Sequence, residues 1–214
     1  MTVLGFLHTS PVHVPTFDAL VRVSCAAARV CHVVDEQLLA LARLRAPEAV
    51  TGAVRDRLNE LTGLGADVIC CTCSTIGHIA EAEADSVPVP VLRVDRPMAR
   101  RAVELGPRVG VVAALDSTLE PPRALILEEA GRVGAEVSLM LVTATGAWGC
   151  FEAGDYDAYL GSIASQARRI ASSVDVIVLA QASMAAAERY LTALDTPVVS
   201  SPRLAVENLK MLTH

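Results

Sequence analysis

The order of apolar runs in the first half of the chain begins again in the second, and this recurrence restricts the fold more than any single motif. Asp67-Val68-Ile69-Cys70-Cys71-Thr72-Cys73-Ser74-Thr75 returns 108 residues later as Asp175-Val176-Ile177-Val178-Leu179-Ala180-Gln181-Ala182-Ser183. Leu4-Gly5-Phe6-Leu7-His8 is paralleled by Val109-Gly110-Val111-Val112-Ala113 at an offset of 105, and Pro90 and Pro197 stand near matching places. Few residues match in any one unit, but the shared order implies a diverged duplication.

Short apolar runs predict strands at 3–7, 31–35, 67–71, 89–94, 109–113, 137–142, 175–179 and 197–200. Helical spacing fills the intervals. A helix is expected over 15–30, capped by Thr16, and another over 47–63, where Pro47 opens it and Val50, Val54, Leu58 and Leu61 form one stripe. Further helices are predicted at 78–85, 97–106, 121–131, 156–172 and 184–194, and the Gly-rich stretch 143–155 reads as a long loop. Strands alternating with helices imply parallel sheets. The expected fold class is therefore α/β, with two pseudo-symmetric halves, 1–106 and 107–214, each a four-stranded parallel sheet flanked by helices. The C-terminal helix of the first half is free to cross over to the second. Ligands of such sheets sit beyond the carboxyl ends of the strands, which puts the expected site in the cleft between the halves.

Composition excludes several function classes. Of the 214 residues 52% are hydrophobic and only 3% aromatic, which suits helices packed on buried parallel sheets. The mean hydropathy of +0.44 raises the question of a membrane. The uncharged run 137–151 is too short to span one and contains Thr, Gly and Trp, and the N-terminus lacks the basic flank of a signal peptide, so a cytoplasmic protein is expected. A net charge of −6, with Lys210 the single lysine, argues against nucleic acid. Cys70, Cys71 and Cys73 crowd one strand, where neighbouring side chains point to opposite faces, so reduced thiols are expected rather than disulfides. Zinc would need a second, well-spaced Cys/His pair, which His78 alone does not supply. The apolar helices suit a homodimer or higher homo-oligomer.

Cys73 is the foremost candidate for chemistry. It ends a strand just before a helical pattern, where a helix N-terminus would favour thiolate and free amides could receive a carboxylate. Ser74 and Thr75 add hydroxyl donors, although Thr75 could equally be a helix cap. Cys70 and Cys71, inside the strand, read as small buried hydrophobes. His8, at the mouth of the first strand, is a candidate acid, base or carboxylate donor, or a hydrogen-bonded loop histidine. Thr9, Ser10, Ser117 and Thr118 are hydroxyl pairs at symmetric places after the first strand of each half. As turn residues they would be ordinary; symmetry makes them candidate ligand donors. Trp148 and Cys150 could wall a pocket or simply pack, and Asp35, Asp95 and Glu152 read as structural or solvated.

Two similar α/β halves, Asp67-Val68-Ile69 leading to Cys73-Ser74-Thr75, and Asp175-Val176-Ile177 leading to Gln181, together resemble the aspartate/glutamate/hydantoin racemase superfamily. That resemblance implies a cofactor-independent enzyme acting next to the carboxylate of a small acid or amino acid. In the family each half gives one cysteine: one thiolate abstracts a proton and the opposite thiol delivers one. Cys73 matches the first cysteine, and Ser74-Thr75 match the Asn-Thr that follows it in the amino-acid racemases. The second cysteine falls on Gln181, or on Ala182 if the register slips by one. The expected catalytic residues are then Cys73, His8 and Gln181, with Thr9, Ser10, Ser74, Thr75, Ser117, Thr118 and Ser183 as substrate-binding residues. The readings implied are a one-thiol racemase or isomerase, a single-cysteine decarboxylase of the same superfamily, and a silent small-carboxylate binding protein. A dinucleotide binder ranks last, since no G-x-G-x-x-G follows either first strand.

Overall fold

The computed structural model describes residues 1–212. Strands β1 (Val3–His8), β2 (Arg29–Val34), β3 (Val68–Cys71) and β4 (Val91–Arg93) form one parallel sheet in the order β2-β1-β3-β4. Strands β5 (Arg108–Ala113), β6 (Ser138–Thr143), β7 (Val176–Leu179) and β8 (Val198–Ser200) form another in the order β6-β5-β7-β8. The two orders are the same, as a duplication requires.

The helices are α1 (Val14–Ser24), α2 (Glu36–Leu44), α3 (Thr51–Gly63), α4 (Gly77–Ala82), α5 (Arg96–Leu105), α6 (Glu120–Arg132), α7 (Ala147–Glu152), α8 (Tyr156–Ile170) and α9 (Ser201–Leu212). The chain divides into two compact units, Met1–Asp95 with the segment from Pro202 onward, and Arg96–Ser201. Helix α5 follows β4 in sequence but packs on β7, β8 and α6, through buried Met98, Ala99 and Ala102. Helix α9 follows β8 but buries Ala205, Val206 and Leu209 with Leu4, Phe6, Val68 and Cys70 of the first sheet. The unit boundaries therefore differ from the sequence halves.

In the first unit both faces of the sheet are covered. Leu7, Ile69 and Cys71 share a core with Leu38, Val54, Leu58 and Leu61 of α2 and α3. Leu4 and Phe6 face the other way, onto Phe17 and Val21 of α1 and onto α9. Burial on both sides is why β3 is apolar throughout rather than alternating. Each large side chain so buried contributes about 1.5–3 kcal/mol. In the second unit Val112, Ile177 and Leu179 pack against Tyr159, Ile163 and Ala167 of α8.

Two repeated details explain residues of the sequence motifs. Asp67 accepts a hydrogen bond from the Val3 amide at 2.8 Å, and Asp175 accepts one from the Arg108 amide at 2.9 Å. The aspartates thus fasten the start of each first strand. Gly5 and Gly110 lie where the turn after the crossover helix presses on that strand. A methyl group on Gly5 would lie 2.8 Å from the Ala66 Cβ, and one on Gly110 2.7 Å from the Ile170 Cδ1.

Several elements depart from the sequence expectation. The helix expected to reach residue 30 ends at Ser24, because residues 29–34 pair with β1 instead. The 47–63 helix starts with a 3-10 turn, Pro47–Val50, before α3. Helix α2 was not expected, although Asp35 caps it by accepting from the Gln37 amide and Leu38 and Ala42 form its buried stripe. Helix α9 was likewise missed. The stretch 143–155 contains α7, held by Trp148, Cys150 and Phe151 packing on the second core. Residues 184–194 give 3-10 turns over Ala182–Tyr190 rather than an α-helix; the buried Met184 and Ala187 are three apart, the spacing that eclipses on a 3-10 turn.

Candidate active site

The polar residues singled out by the sequence gather at the carboxyl edge of each sheet. In the first unit Thr72 continues β3, its amide donating to the Leu7 carbonyl at 2.9 Å, and Cys73 begins the turn that leads to α4. Strand alternation sends Cys70 into the core under α1 and α9, and Cys71 into the core under α3, with half-buried Cys73 at the edge of the latter. Burial pushes the Cys70 and Cys71 thiols far above their usual range, so both are inert. Cys73 is the one thiol of the three that is partly exposed.

The turn around Cys73 is not the helix start expected from the sequence. Helix α4 has only six residues and begins at Gly77; its N-cap is Ile76, with no side-chain cap, so Thr75 does not cap it. The dipole of so short a helix is small, and Cys73 lies outside its first turn. Ser74 and Thr75 are half-buried, and their hydroxyls bond no described residue. Below the turn lies a buried ion pair. Arg93, 5% exposed, donates two hydrogen bonds to Asp95, at 2.6 and 2.9 Å, and its Nε would stand 3.3 Å from a methyl group on Gly77. Asp95 is therefore structural, as are Asp35, which caps α2 and pairs with Arg57, and Glu152, which accepts from the Trp148 indole.

Thr9 and Ser10 follow β1, Thr9 buried and Ser10 half-buried, and neither hydroxyl bonds a described residue. His8 behaves otherwise than its place in the sequence suggested. It is fully buried and stacks with Phe6 and His32. Its Nδ1 is 2.8 Å from the Thr72 hydroxyl and its Nε2 is 2.8 Å from His32 Nδ1. Burial, then the nearby His32 and His13, lower its pKa to about 3. Both ring nitrogens of His8 are therefore engaged within the first unit, and none of the residue is exposed.

In the second unit the register question is settled by backbone pairing. Ile69 lies opposite Gly5 and Ile177 opposite Gly110, and the Ala180 amide donates to the Val112 carbonyl as Thr72 does to Leu7. Counting onward, Gln181 and not Ala182 matches Cys73. The Gln181 Oε1 accepts from the Ala114 amide at 2.9 Å, leaving its amide nitrogen without a partner among the described residues. Ser117 is exposed. The Thr118 hydroxyl is spent on its own turn, donating to the Leu115 carbonyl at 2.7 Å, and Ser183 is tied to the Tyr159 hydroxyl at 2.8 Å. Cys150 and Trp148 pack on the core as parts of α7. The sequence reading missed a polar pocket of about 280 Å³ at the end of β6, lined by Thr143, Ser162, Gln166 and Arg169 among others. Spacing on α8, with Ser162, Gln166 and Arg169 recurring on one face, was the available signal.

Two parallel sheets of one topology, each with a polar turn after its first and third strands, define a duplicated α/β class. The match to a family is direct: residues 7–209 fit the Asp/Glu/Hydantoin racemase family, and the chain belongs to it. No curated protein sequence matches the chain. Among solved structures, allantoin racemase from Pseudomonas fluorescens superposes with a TM-score of 0.69 at 20% identity, covering 100% of this chain and 91% of that one. Glutamate racemase from Bacillus anthracis gives 0.77 at 15% identity, covering 99% and 81%. A mutant arylmalonate decarboxylase, in which a glycine is exchanged for cysteine and a cysteine for serine, gives 0.62 at 18% identity, covering 99% and 92%. At such identities the likeness is one of fold. Among the described residues no helix is long and apolar enough to cross a membrane.

Proposed function

We propose that the protein is a cofactor-independent enzyme that moves a proton at the carbon next to the carboxylate of a small acid or amino acid, with Cys73 as its single thiol acid/base. The observation that carries this reading is the asymmetry at matched places: a partly exposed cysteine at 73 and a backbone-anchored glutamine at 181. Thiolate at Cys73 would take the α-proton, and the electron pair would pass to the carboxylate as an enediolate. The unengaged hydroxyls of Thr9, Ser10, Ser74 and Thr75 supply donors for that charge. Gln181 can donate from its amide but cannot exchange a proton as a thiol does, so the proton returns from Cys73 to the face it left. Among the second-unit candidates Ser117 is exposed and free to meet a carboxylate, Thr118 has spent its proton on its own turn, and Ser183 shares with Tyr159 a hydrogen bond in which either hydroxyl can donate. The six free cysteines suit the reducing cytoplasm.

A second reading is favoured by the likeness to arylmalonate decarboxylase. There the substrate would carry two carboxylates on one carbon. One leaves as CO2, its bonding pair forms the enediolate, and the Cys73 thiol protonates the carbon.

The test is a panel of small carboxylic acids, amino acids and malonates in deuterated water, followed by proton NMR and chiral chromatography. Deuterium is expected to enter the α-carbon without inversion, or CO2 to be lost from a malonate, and Cys73→Ala to abolish either. Gln181→Cys is expected to add inversion to the exchange reaction. Inversion by the wild-type protein would refute the single-thiol assignment, and turnover that survives Cys73→Ala would remove Cys73 from the reaction.

A further inference from the structure

The first unit contains a line of polar groups that the chemistry above leaves unused. It runs from Asp18 on α1 through His32 on β2 and His8 on β1 to Thr72 beyond β3. The distances are 3.1 Å from Asp18 Oδ1 to His32 Nε2, 2.8 Å from His32 Nδ1 to His8 Nε2, and 2.8 Å from His8 Nδ1 to the Thr72 hydroxyl. One end is wet and the other dry. Asp18 is 47% exposed and His32 17%, while His8 and Thr72 are buried. His32 also lines an open pocket of about 580 Å³ beside Asp35, Glu36, Arg57 and Glu60, so solvent reaches it.

Donor and acceptor counting allows two complete arrangements of this line. In the first, the Thr72 hydroxyl donates to His8 Nδ1, His8 Nε2–H donates to His32 Nδ1, and His32 Nε2–H donates to Asp18. Both rings are neutral. In the second, one further proton is present: His32 carries hydrogen on both nitrogens, donating to Asp18 and to His8 Nε2. His8 then holds its single proton on Nδ1 and donates to Thr72. The Thr72 hydroxyl turns to the Leu7 carbonyl, which lies 3.1 Å away. The net change is one proton taken from solvent, with the positive charge on His32 facing Asp18. His8 remains neutral in both, in keeping with its burial beside His13 and its lowered pKa of about 3.

We propose that Thr72, His32 and Asp18 are positioning residues for Cys73, joined through His8 into a two-state relay, so that a proton taken up at His32 changes the hydrogen bond by which Thr72 holds the Cys73 turn. Thr72 precedes Cys73 directly and its side chain ties the ends of β3 and β1 together, so the register of the turn depends on that anchor. The proposal rests on the reading of Cys73 as the working thiol only for its consequence, not for the relay itself.

The experiment has two arms on the full chain. In the first, ¹⁵N-labelled histidine is followed by NMR over a pH series. The His8 tautomer is expected to switch from Nε2–H to Nδ1–H as His32 gains its proton, and His32→Phe to abolish the switch. In Asp18→Asn the switch should move to lower pH. A His8 tautomer that stays fixed while His32 titrates overturns the relay, whatever the fate of the catalytic reading.

In the second arm, alkylation of Cys73 by iodoacetamide is read from its peptide by mass spectrometry across the same pH range and above. The wild-type rate is expected to depart from a single-thiol curve by roughly two- to fivefold over the interval where the His8 tautomer switches, the low end of the coupling between neighbours in one hydrogen-bond network. His32→Phe and Thr72→Val should give a single-thiol curve, and Thr72→Ser should restore the departure. A purely structural role would shift the melting temperature in these variants without changing the shape of the curve. Superposable profiles for wild type and His32→Phe overturn the coupling to Cys73. Loss of function on Cys73→Ala is measured separately, so failure of the catalytic reading is distinguishable from failure of the relay.

Discussion

Replacing Gly5 by alanine would set a methyl group 2.8 Å from the Ala66 Cβ, 3.4 Å from the Ile69 Cγ1 and 3.5 Å from the Leu61 Cδ2. Ala66 cannot turn away, since its Cβ is fixed by the backbone, so either β1 or the turn after α3 must move by several tenths of an ångström. Overpacking of this kind costs about 1–3 kcal/mol. Alanine in a strand recovers roughly 0.5–1 kcal/mol of chain entropy relative to glycine, leaving a net loss of about 1–2 kcal/mol. At Gly110 the same change meets the Ile170 Cδ1 at 2.7 Å and the two Val174 methyls at 3.3 Å. Ile170 can rotate its terminal methyl, so Gly110→Ala should cost less, about 0–1 kcal/mol.

Urea denaturation followed by circular dichroism measures the difference. With a slope of about 2 kcal/mol per molar urea, the Gly5→Ala midpoint should fall by roughly 0.5–1 M and the Gly110→Ala midpoint by less than half of that. Ala66→Gly added to Gly5→Ala removes the colliding atom and should restore much of the loss. If Gly5→Ala left the midpoint unchanged, or if Ala66→Gly made it worse, the close approach would not be what requires glycine here.

Other perturbations test the buried charges. Arg93→Met strands Asp95, 1% exposed at its side chain, without its bidentate partner and should cost about 3–5 kcal/mol in urea denaturation, whereas Arg93→Met with Asp95→Leu should regain most of it. Equal losses in the single and double variants would argue against an uncompensated charge. His8, held neutral down to about pH 3 in the fold and free to protonate near pH 6.5 when unfolded, makes the unfolded chain take up the proton first. Stability should therefore fall as pH drops from about 6.5 towards 3, by a few kcal/mol in the limit, and His8→Phe should flatten that slope. Asp175 has its pKa lowered by the side-chain and backbone hydrogen bonds of Arg108. Its contribution is present above the ordinary carboxylate pKa of about 3.9 and disappears as pH falls through the lowered value. Asp175→Asn keeps an acceptor for the Arg108 amide and should remove this acid sensitivity in thermal melts taken between pH 2 and 5.

Strand positions and their repetition were written plainly in the chain. Apolar runs of four to six residues flanked by turn residues can hardly be anything else in a sheet covered on both sides. The two Asp-Val-Ile segments and the two Gly positions marked the same places in both sheets, so the duplication and the position of Cys73 followed from the chain alone. Helix ends were less legible. The helix expected to run to residue 30 stops at Ser24 because β1 takes residues 29–34 as a partner, and pairing outweighs local propensity. The 143–155 stretch looks like a loop until the core on which Trp148 and Phe151 pack is in place.

At the site, sequence alone determined which residue types stand beyond each strand: a thiol and hydroxyls in one half, a glutamine in the other. What only the tertiary structure decided is which of those side chains remain available. His8 is the clearest instance. Its place at the end of an apolar strand suggested a residue open to a ligand, but strand alternation puts it on the same face as Leu4 and Phe6, and long-range pairing brings His32 and Thr72 to its two nitrogens. Thr118 and Ser183 are bound to partners within their own unit, whereas Ser74, Thr75, Thr9 and Ser10 are not. Gln181 is matched to Cys73 by a backbone register that cannot be counted without the β5 and β7 pairing. The physical reason is common to all of them: a hydrogen bond between residues far apart in the chain is formed by the packing of elements, and neither composition nor spacing records it.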